Sequence, residues 1–147
     1  MSVRFQIVMD VHDPAIQMKF WSEALRYEPE PPPDGFASWS EYWTRIGLPE
    51  SERTDSGDSI RDPKGHGPRI WFHAVAESKT SKNRVHLDIG VSGGYGVPIE
   101  TRKQRVEAEA SRLVDLGATR LESLVEPGLE HYAVAMLDPE GNEFDIN

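Results

Sequence analysis

Two stretches eighty residues apart carry nearly the same pattern: RFQIVMDV beginning at Arg4 and RVHLDIGV beginning at Arg84. Laid on each other they match Arg4 with Arg84, Gln6 with His86 and Val11 with Val91. In the first copy, Phe5, Ile7 and Met9 alternate with Gln6 and Asp10, the period of two that marks a half-buried strand. A helix and then further strands follow each copy, so the chain reads as two strand-helix-strand-strand-strand modules of similar size. The expected fold class is therefore α+β, two βαβββ modules forming a curved mixed sheet around a central cleft. With 147 residues the chain is expected to form a single domain, module one covering about residues 1–76 and module two about residues 82–147.

Turn and cap signals set the expected boundaries within each module. The first strand, Arg4 to Val11, leads to Asp13-Pro14, an N-cap followed by a proline suited to a first helical turn. Ile16, Phe20, Ala24 and Tyr27 then recur at helical spacing, and the proline-rich run from Pro29 to Gly35 stops that helix. Glu41 to Ile46 and Ile70 to Val75 read as strands. The polar stretch between them, including residues 49–69, reads as a mobile flap or a disordered insert, with closure over a pocket as a lid its sharper alternative. In the second module, Asn83 to Val91 reads as a strand and Glu107 to Leu116 as a helix closed by Gly117. Ala118 to Val125, Tyr132 to Leu137 and Asn142 to Asn147 read as strands, with turns at Glu126-Pro127-Gly128 and Asp138-Pro139-Glu140-Gly141.

Composition excludes several classes of function. Twenty-five acidic against 16 basic residues give a net charge of -9, and without a Lys/Arg cluster no nucleic-acid partner is expected. No apolar run has the length of a membrane span, and the start has neither the basic nor the apolar region of a signal peptide, so no membrane partner and a cytoplasmic location are expected. The absence of cysteine removes thiolate sites, leaving His, carboxylate, amide or water to hold any metal. The run GVSGGYGVP has neither phosphate-loop nor dinucleotide spacing, so no nucleotide cofactor is expected and it reads as a linker.

Three segments carry a resemblance to a known family: the first strand with its DP helix start and FWSEAL, the run PRIWFHAVAESKTSKNRVHLDIGV, and the closing DPEGNEFDIN. Over essentially the whole chain the sequence resembles the vicinal oxygen chelate superfamily, the glyoxalase, bleomycin-resistance and extradiol dioxygenase fold. Within it, the glyoxalase-like actinobacterial type is the most similar. That resemblance implies metal ligands on the first and last strands of each module, which here are Gln6, His73, His86 and Asp145. It also implies a small-molecule ligand between the modules and a homodimer.

Strand parity, which owes nothing to the family, puts the same four residues opposite the apolar face. If Phe5 and Ile7, Ile70 and Phe72, Val85 and Leu87, and Phe144 and Ile146 face the helices, all four face away from them. Arg4, Asp10, Trp71, Arg84, Asp88 and Glu143 share that parity, and cross-strand ion pairs such as Arg84 with Asp10 are the alternative use of the face. Two imidazoles, a carboxylate and an amide suit Zn, Ni, Mn, Co or Fe(II). The resemblance to glyoxalase I gives Asp145 a catalytic role as proton carrier, on a side chain one methylene shorter than the family's usual glutamate. The other reading of His73 and His86 is as hydrogen-bonded histidines without a metal.

Two classes of function follow. One is a divalent-metal-dependent lyase, isomerase or dioxygenase of small oxygen-bearing molecules. The alternative is a metal-free protein of the bleomycin-resistance type that sequesters a small molecule, with Trp43 and Trp71 as substrate-binding walls and the negative charge favouring a cation.

Overall fold

The computed structural model describes residues 3–126 and 128–147. The expected turn at Glu126-Pro127-Gly128 therefore includes one residue, Pro127, outside the described ones. The chain divides into two compact units, Met1–Ala76 and Glu77–Asn147. Each is a βαβββ-like module with one four-stranded mixed sheet, and the described residues form three α-helices in all. None of the helices is long and apolar enough to cross a membrane.

The first unit opens with β1 (Gln6–Val11) and α1 (Pro14–Leu25). The Asp13 carboxylate accepts from the backbone N–H groups of Ala15 and Ile16 at 3.0 and 3.1 Å, satisfying donors that a helix start leaves open. At the other end Arg26 takes left-handed backbone and its successor's N–H returns to the Ser22 carbonyl, which ends the helix before Tyr27. β2 (Glu28–Pro29), α2 (Trp39–Arg45), β3 (Ser59–Arg61) and β4 (Arg69–Ala74) complete the unit, in sheet order β1-β4-β3-β2. Only the β1–β4 pair is parallel. α1 lies against β3 and β4, and Phe20, Trp21, Ala24, Ile60, Ile70 and Phe72 are buried.

The second unit repeats the topology: β5 (Asp88–Ile89), α3 (Ile99–Asp115), β6 (Thr119–Val125), β7 (Tyr132–Leu137) and β8 (Glu143–Ile146), in order β5-β8-β7-β6. Again the first strand pairs parallel with the last. Val106, Ala110 and Leu113 of α3 and Val134, Met136, Phe144 and Ile146 of the sheet are buried, and α3 lies against β6, β7 and β8.

Several sequence expectations need correction. Glu41 to Ile46 is not a strand but most of α2: Ser38 Oγ accepts from the Glu41 N–H and the Glu41 carboxylate accepts from the Ala37 N–H, a reciprocal capping pair. The polar stretch is no insert, because it supplies β3, whose Ser59 and Ile60 are buried, and a turn in which Asp62 collects the N–H groups of Lys64, His66 and Gly67. Those N–H donors hold the Asp62 carboxyl below its ordinary value. α3 begins at Ile99, not near Glu107, and β5 pairs only at Asp88–Ile89. Phe5 and Val85, expected on the buried face, are exposed because both lie outside the paired strands.

Glu107 ties three elements of the second unit together. It accepts from both Nη atoms of Arg120 on β6, at 2.7 and 2.9 Å, and from the Tyr132 hydroxyl on β7. The guanidinium, then the phenol, hold its carboxyl below the ordinary 4.5. A depressed carboxylate contributes stability that is present above its unfolded value and lost as pH falls through its folded one. Denaturant titrations between about pH 5 and pH 3 are therefore expected to show wild type losing stability more steeply than Glu107→Gln. Equal slopes would contradict this role.

Candidate functional site

The second unit builds its polar face from the turn before β8. The buried Asp138 carboxylate accepts from the N–H groups of Glu140 and Asn142, both at 2.9 Å, and from the Asn142 side chain. With the turn fixed, β8 alternates strictly: Phe144 and Ile146 go into the core, Glu143 and Asp145 to the other face. Glu143 then fastens the preceding segment, accepting from Lys79 Nζ at 2.9 Å and from the Asn83 N–H at 3.0 Å. The Lys79 ammonium, with the Asn83 N–H, holds its carboxyl down to about 2. The Leu87 carbonyl accepts from the Asp145 N–H at 2.9 Å, and Asp88 stands in register with Asp145.

This pairing brings three donors together. His86 Nε2 lies 3.4 Å from Asp145 Oδ2 and 3.4 Å from Asp88 Oδ1, and one ligand atom from each residue falls within 4.8 Å of the others. Asp88 is also steadied by Asn147, whose Nδ2 donates to its second oxygen at 3.3 Å. Burial pushes the Asp145 carboxyl up, and the charge of Asp88 adds to this, while His86, Lys82 and His131 pull the other way. Donors bound to one ion at about 2.1 Å sit about 3.4 Å apart in a tetrahedral site, so an imidazole and two carboxylates at these spacings fit a divalent cation.

In the first unit the parallel register puts Gln6 beside Arg69, Val8 beside Trp71 and Asp10 beside His73. Gln6 Oε1 accepts from Arg69 Nη1 at 2.7 Å, and Arg69 also donates to Glu30 and Ser59. His73 Nδ1 lies 2.9 Å from Asp10 Oδ1, so Asp10 has a histidine partner in its own sheet. Gln6 and His73 share a face but stand four rungs apart along the pair, about 13 Å at strand rise. Side chains standing roughly perpendicular to a sheet do not close that gap around one ion.

The sequence-predicted set thus comes together in part: His86 with Asp145 in one unit, Gln6 and His73 apart in the other. Asp88, which strand parity alone places on this face, sits in the cluster, and the H-x-D spacing of HLD on one strand face is the signal for it. Trp71 is half-buried, its ring centroid 5.0 Å from that of His73. Trp43 belongs to α2 instead of a strand, stacked on Trp39 at 5.0 Å, and Tyr42 and Phe36 extend the group of rings.

A sequence-family model described as a glyoxalase-like domain matches residues 6–147. The chain belongs to the glyoxalase-like domain family. Its fold is that of the vicinal oxygen chelate superfamily, as solved structures bear out. A glyoxalase/bleomycin resistance protein/dioxygenase family enzyme from Burkholderia phytofirmans is 19% identical, with a TM-score of 0.60 over 97% of this chain and 94% of that one. A mutant of the fosfomycin resistance protein FosX from Listeria monocytogenes, complexed with Mn(II) and 1S,2S-dihydroxypropylphosphonic acid, is 13% identical, with a TM-score of 0.61 over 100% and 90%. A glyoxalase-related enzyme from Fulvimarina pelagi is 17% identical, with a TM-score of 0.56 over 99% and 86%. At such identities the glyoxalase-like domain shares the fold with these proteins. No curated protein matches the chain in sequence.

Proposed function

We propose that this glyoxalase-like domain is a divalent-metal-dependent enzyme, a lyase, isomerase or dioxygenase acting on a small oxygen-bearing molecule. The observation that carries the reading is the His86 imidazole 3.4 Å from two carboxylates, Asp88 and Asp145. His86 and Asp145 are the proposed core of the metal set, with Asp88 beside them, and Gln6 and His73 are the further ligands proposed on the resemblance. A divalent ion bound there would supply Lewis acidity toward a substrate oxygen. Asp145 is the proposed proton carrier, a carboxyl that burial pushes up and that stands 3.4 Å from the His86 imidazole. Trp71, and more remotely Trp43, are the proposed apolar contacts for substrate. FosX, the same fold crystallised with Mn(II) and a small oxygenated phosphonate, is a precedent that supports this reading.

A single-domain, homodimeric, cytoplasmic protein of the actinobacterial glyoxalase-like type belongs to the same proposal. The second reading is metal-free sequestration of a small molecule. It is favoured by one observation: the Arg69 guanidinium occupies Gln6 Oε1 at 2.7 Å, a fixed cation on an expected metal ligand. Elemental analysis after incubation with Zn, Ni, Mn, Co and anaerobic Fe(II) separates the two. About one equivalent in wild type, lost in a His86→Ala, Asp145→Ala double variant, is the expected result. Metal-free wild type after every incubation would refute the enzyme reading and favour the binder.

A further inference from the structure

β1 and β4 run parallel and end together at Val11 and Ala74, where the chain leaves β1 for α1. The space outside the carboxyl ends of parallel strands is where an open sheet covered by helices leaves a crevice for a ligand. Here it holds a cavity of about 820 Å³, inside the range of about 300–1,000 Å³ usual for small-molecule sites. Pro14, Ala15 and Met18 of α1, Pro29 of β2 and Ala74 of β4 give it apolar walls. Ala74 keeps the parity of the buried Ile70 and Phe72, so the cavity lies on the helix side of the sheet, away from Gln6 and His73. Nothing in it depends on the His86 cluster, which belongs to the other unit.

The remaining wall is formed by residues 53–58, and it is fixed at several points. Trp43 Nε1 donates to the Thr54 carbonyl at 3.1 Å, and the Trp39 ring lies so close to Gly57 that a Cβ there would meet it at 2.3 Å. Arg53 donates from Nε to the Leu48 carbonyl at 2.8 Å and from Nη1 to the Thr44 hydroxyl at 3.0 Å. The Phe72 N–H donates to the Asp58 carbonyl at 2.8 Å, and Ser56 Oγ donates to Asp58 Oδ1 at 3.0 Å. A wall held in this way is formed before a ligand arrives, which removes much of the ordering cost of binding.

The charge around the cavity is unbalanced. Asp13, Asp55 and Asp58 line it, against the guanidinium of Arg53. Asp13 accepts from the N–H groups of Ala15 and Ile16, so its charge offsets the positive end of α1. Arg53 directs its donors to Leu48 and Thr44, and among the described residues neither Asp55 nor Asp58 forms an ion pair. Burial pushes the Asp58 carboxyl up, a larger effect than the downward pull of the Ser56 hydroxyl. A half-buried carboxylate thus borders an apolar space with no counter-charge.

We propose that this cavity binds a small organic cation, a protonated amine whose ammonium meets Asp58 and Asp55 and whose apolar body lies along Pro14, Ala15, Met18 and Ala74. A bare metal ion would answer the carboxylates alone, and an uncharged molecule the apolar walls alone. An amine answers both.

The test titrates the full chain with n-hexylammonium chloride and follows the Trp43 indole N–H resonance with the backbone amides of Thr54, Asp55 and Asp58. Saturable shifts at these positions are expected, with a dissociation constant of about 0.1–5 mM. Hexan-1-ol, which has the same chain without the charge, is expected to bind roughly fivefold more weakly, and hexanoate to give no saturation. Asp58→Asn keeps an oxygen for the Ser56 hydroxyl and a residue type at home in the left-handed backbone found there, at φ 50°, so the loop persists. Combined with Asp55→Asn it is expected to weaken the amine roughly fivefold and to leave hexan-1-ol unchanged. Ala15→Leu, at an exposed helical position, fills the cavity without altering charge and is expected to weaken amine and alcohol alike. No saturation by about 20 mM amine, shifts confined to other residues, or equal affinity for amine and alcohol would each overturn the proposal. So would an unchanged amine affinity in either the double aspartate variant or Ala15→Leu.

Discussion

Phe144→Ala is expected to destabilise the protein by about 3–5 kcal/mol, enough to lower Tm by roughly 10–15 °C. The side chain is 1% exposed, stands in register with Met136, which is fully buried, and belongs to the sheet that α3 covers. Removing the six carbons of the ring from such a place loses both transfer free energy and packing, since the neighbouring strand and helix close the gap only in part. The informative comparison is the residue next door. Asp145→Ala, on the other face of the same strand and more exposed, is expected to cost little stability, and to relieve a carboxylate that burial and Asp88 already disfavour. Urea unfolding of the two variants checks both statements. If Asp145→Ala unfolded as readily as Phe144→Ala, Asp145 would be part of the core's support and not a candidate ligand.

That alternation was legible in the sequence because nothing competes with it. FDI in β8, RIWFHA in β4 and QIVMDV in β1 each keep a period of two, and the structure buries Ile70, Phe72, Phe144 and Ile146 as the period requires. The elements that escaped notice are those whose inward residues do not look apolar, or whose apolar residues do not sit inward. α3 turns Arg102 and Glu109 toward its buried side, Arg102 spanning two carbonyls and Glu109 held by Arg112 at 2.6 Å, so its first half has no apolar stripe to read. β3 buries Ser59 by giving its hydroxyl to the Gly57 carbonyl and accepting from Arg69. α2 buries no residue fully, and its Trp39, Tyr42 and Trp43 are strand-prone types, so the capping pair of Ser38 and Glu41 was the better signal. Trp39 is instead fixed from outside, by the Glu30 carbonyl and by Gly57, where any Cβ would fall 2.3 Å from its ring.

The candidate site was half legible for the same reason. Parity places residues on a face but says nothing of their position along it, and only the register of the parallel pairs does that. In the second unit the register sets Asp88 against Asp145 and brings His86 to both; in the first it sets Gln6 against Arg69 and His73 against Asp10. The four rungs between Gln6 and His73 are therefore a limit that no sequence pattern could reveal.

That limit yields the sharpest expected result. His86→Ala and Asp145→Ala are each expected to weaken divalent-metal binding by about 100-fold or more, exceeding the loss usual for residues that merely orient ligands. Asp88→Asn keeps the shape and one oxygen to accept from Asn147 while removing charge, and about a tenfold loss is expected. Of Gln6→Ala and His73→Ala, no more than one should matter. The two stand about four strand rises apart, and each is already engaged, Gln6 by a guanidinium and His73 by a carboxylate. His73 is the better candidate of the pair, because a carboxylate on Nδ1 orients an imidazole to present Nε2 to a metal, whereas a guanidinium on Oε1 repels one. Metal titrations of the five single variants, followed by competition with a chromogenic chelator, rank them directly. Comparable losses in both Gln6→Ala and His73→Ala would mean that the first sheet rearranges around the ion, and the register described here would not be that of the metal-bound protein.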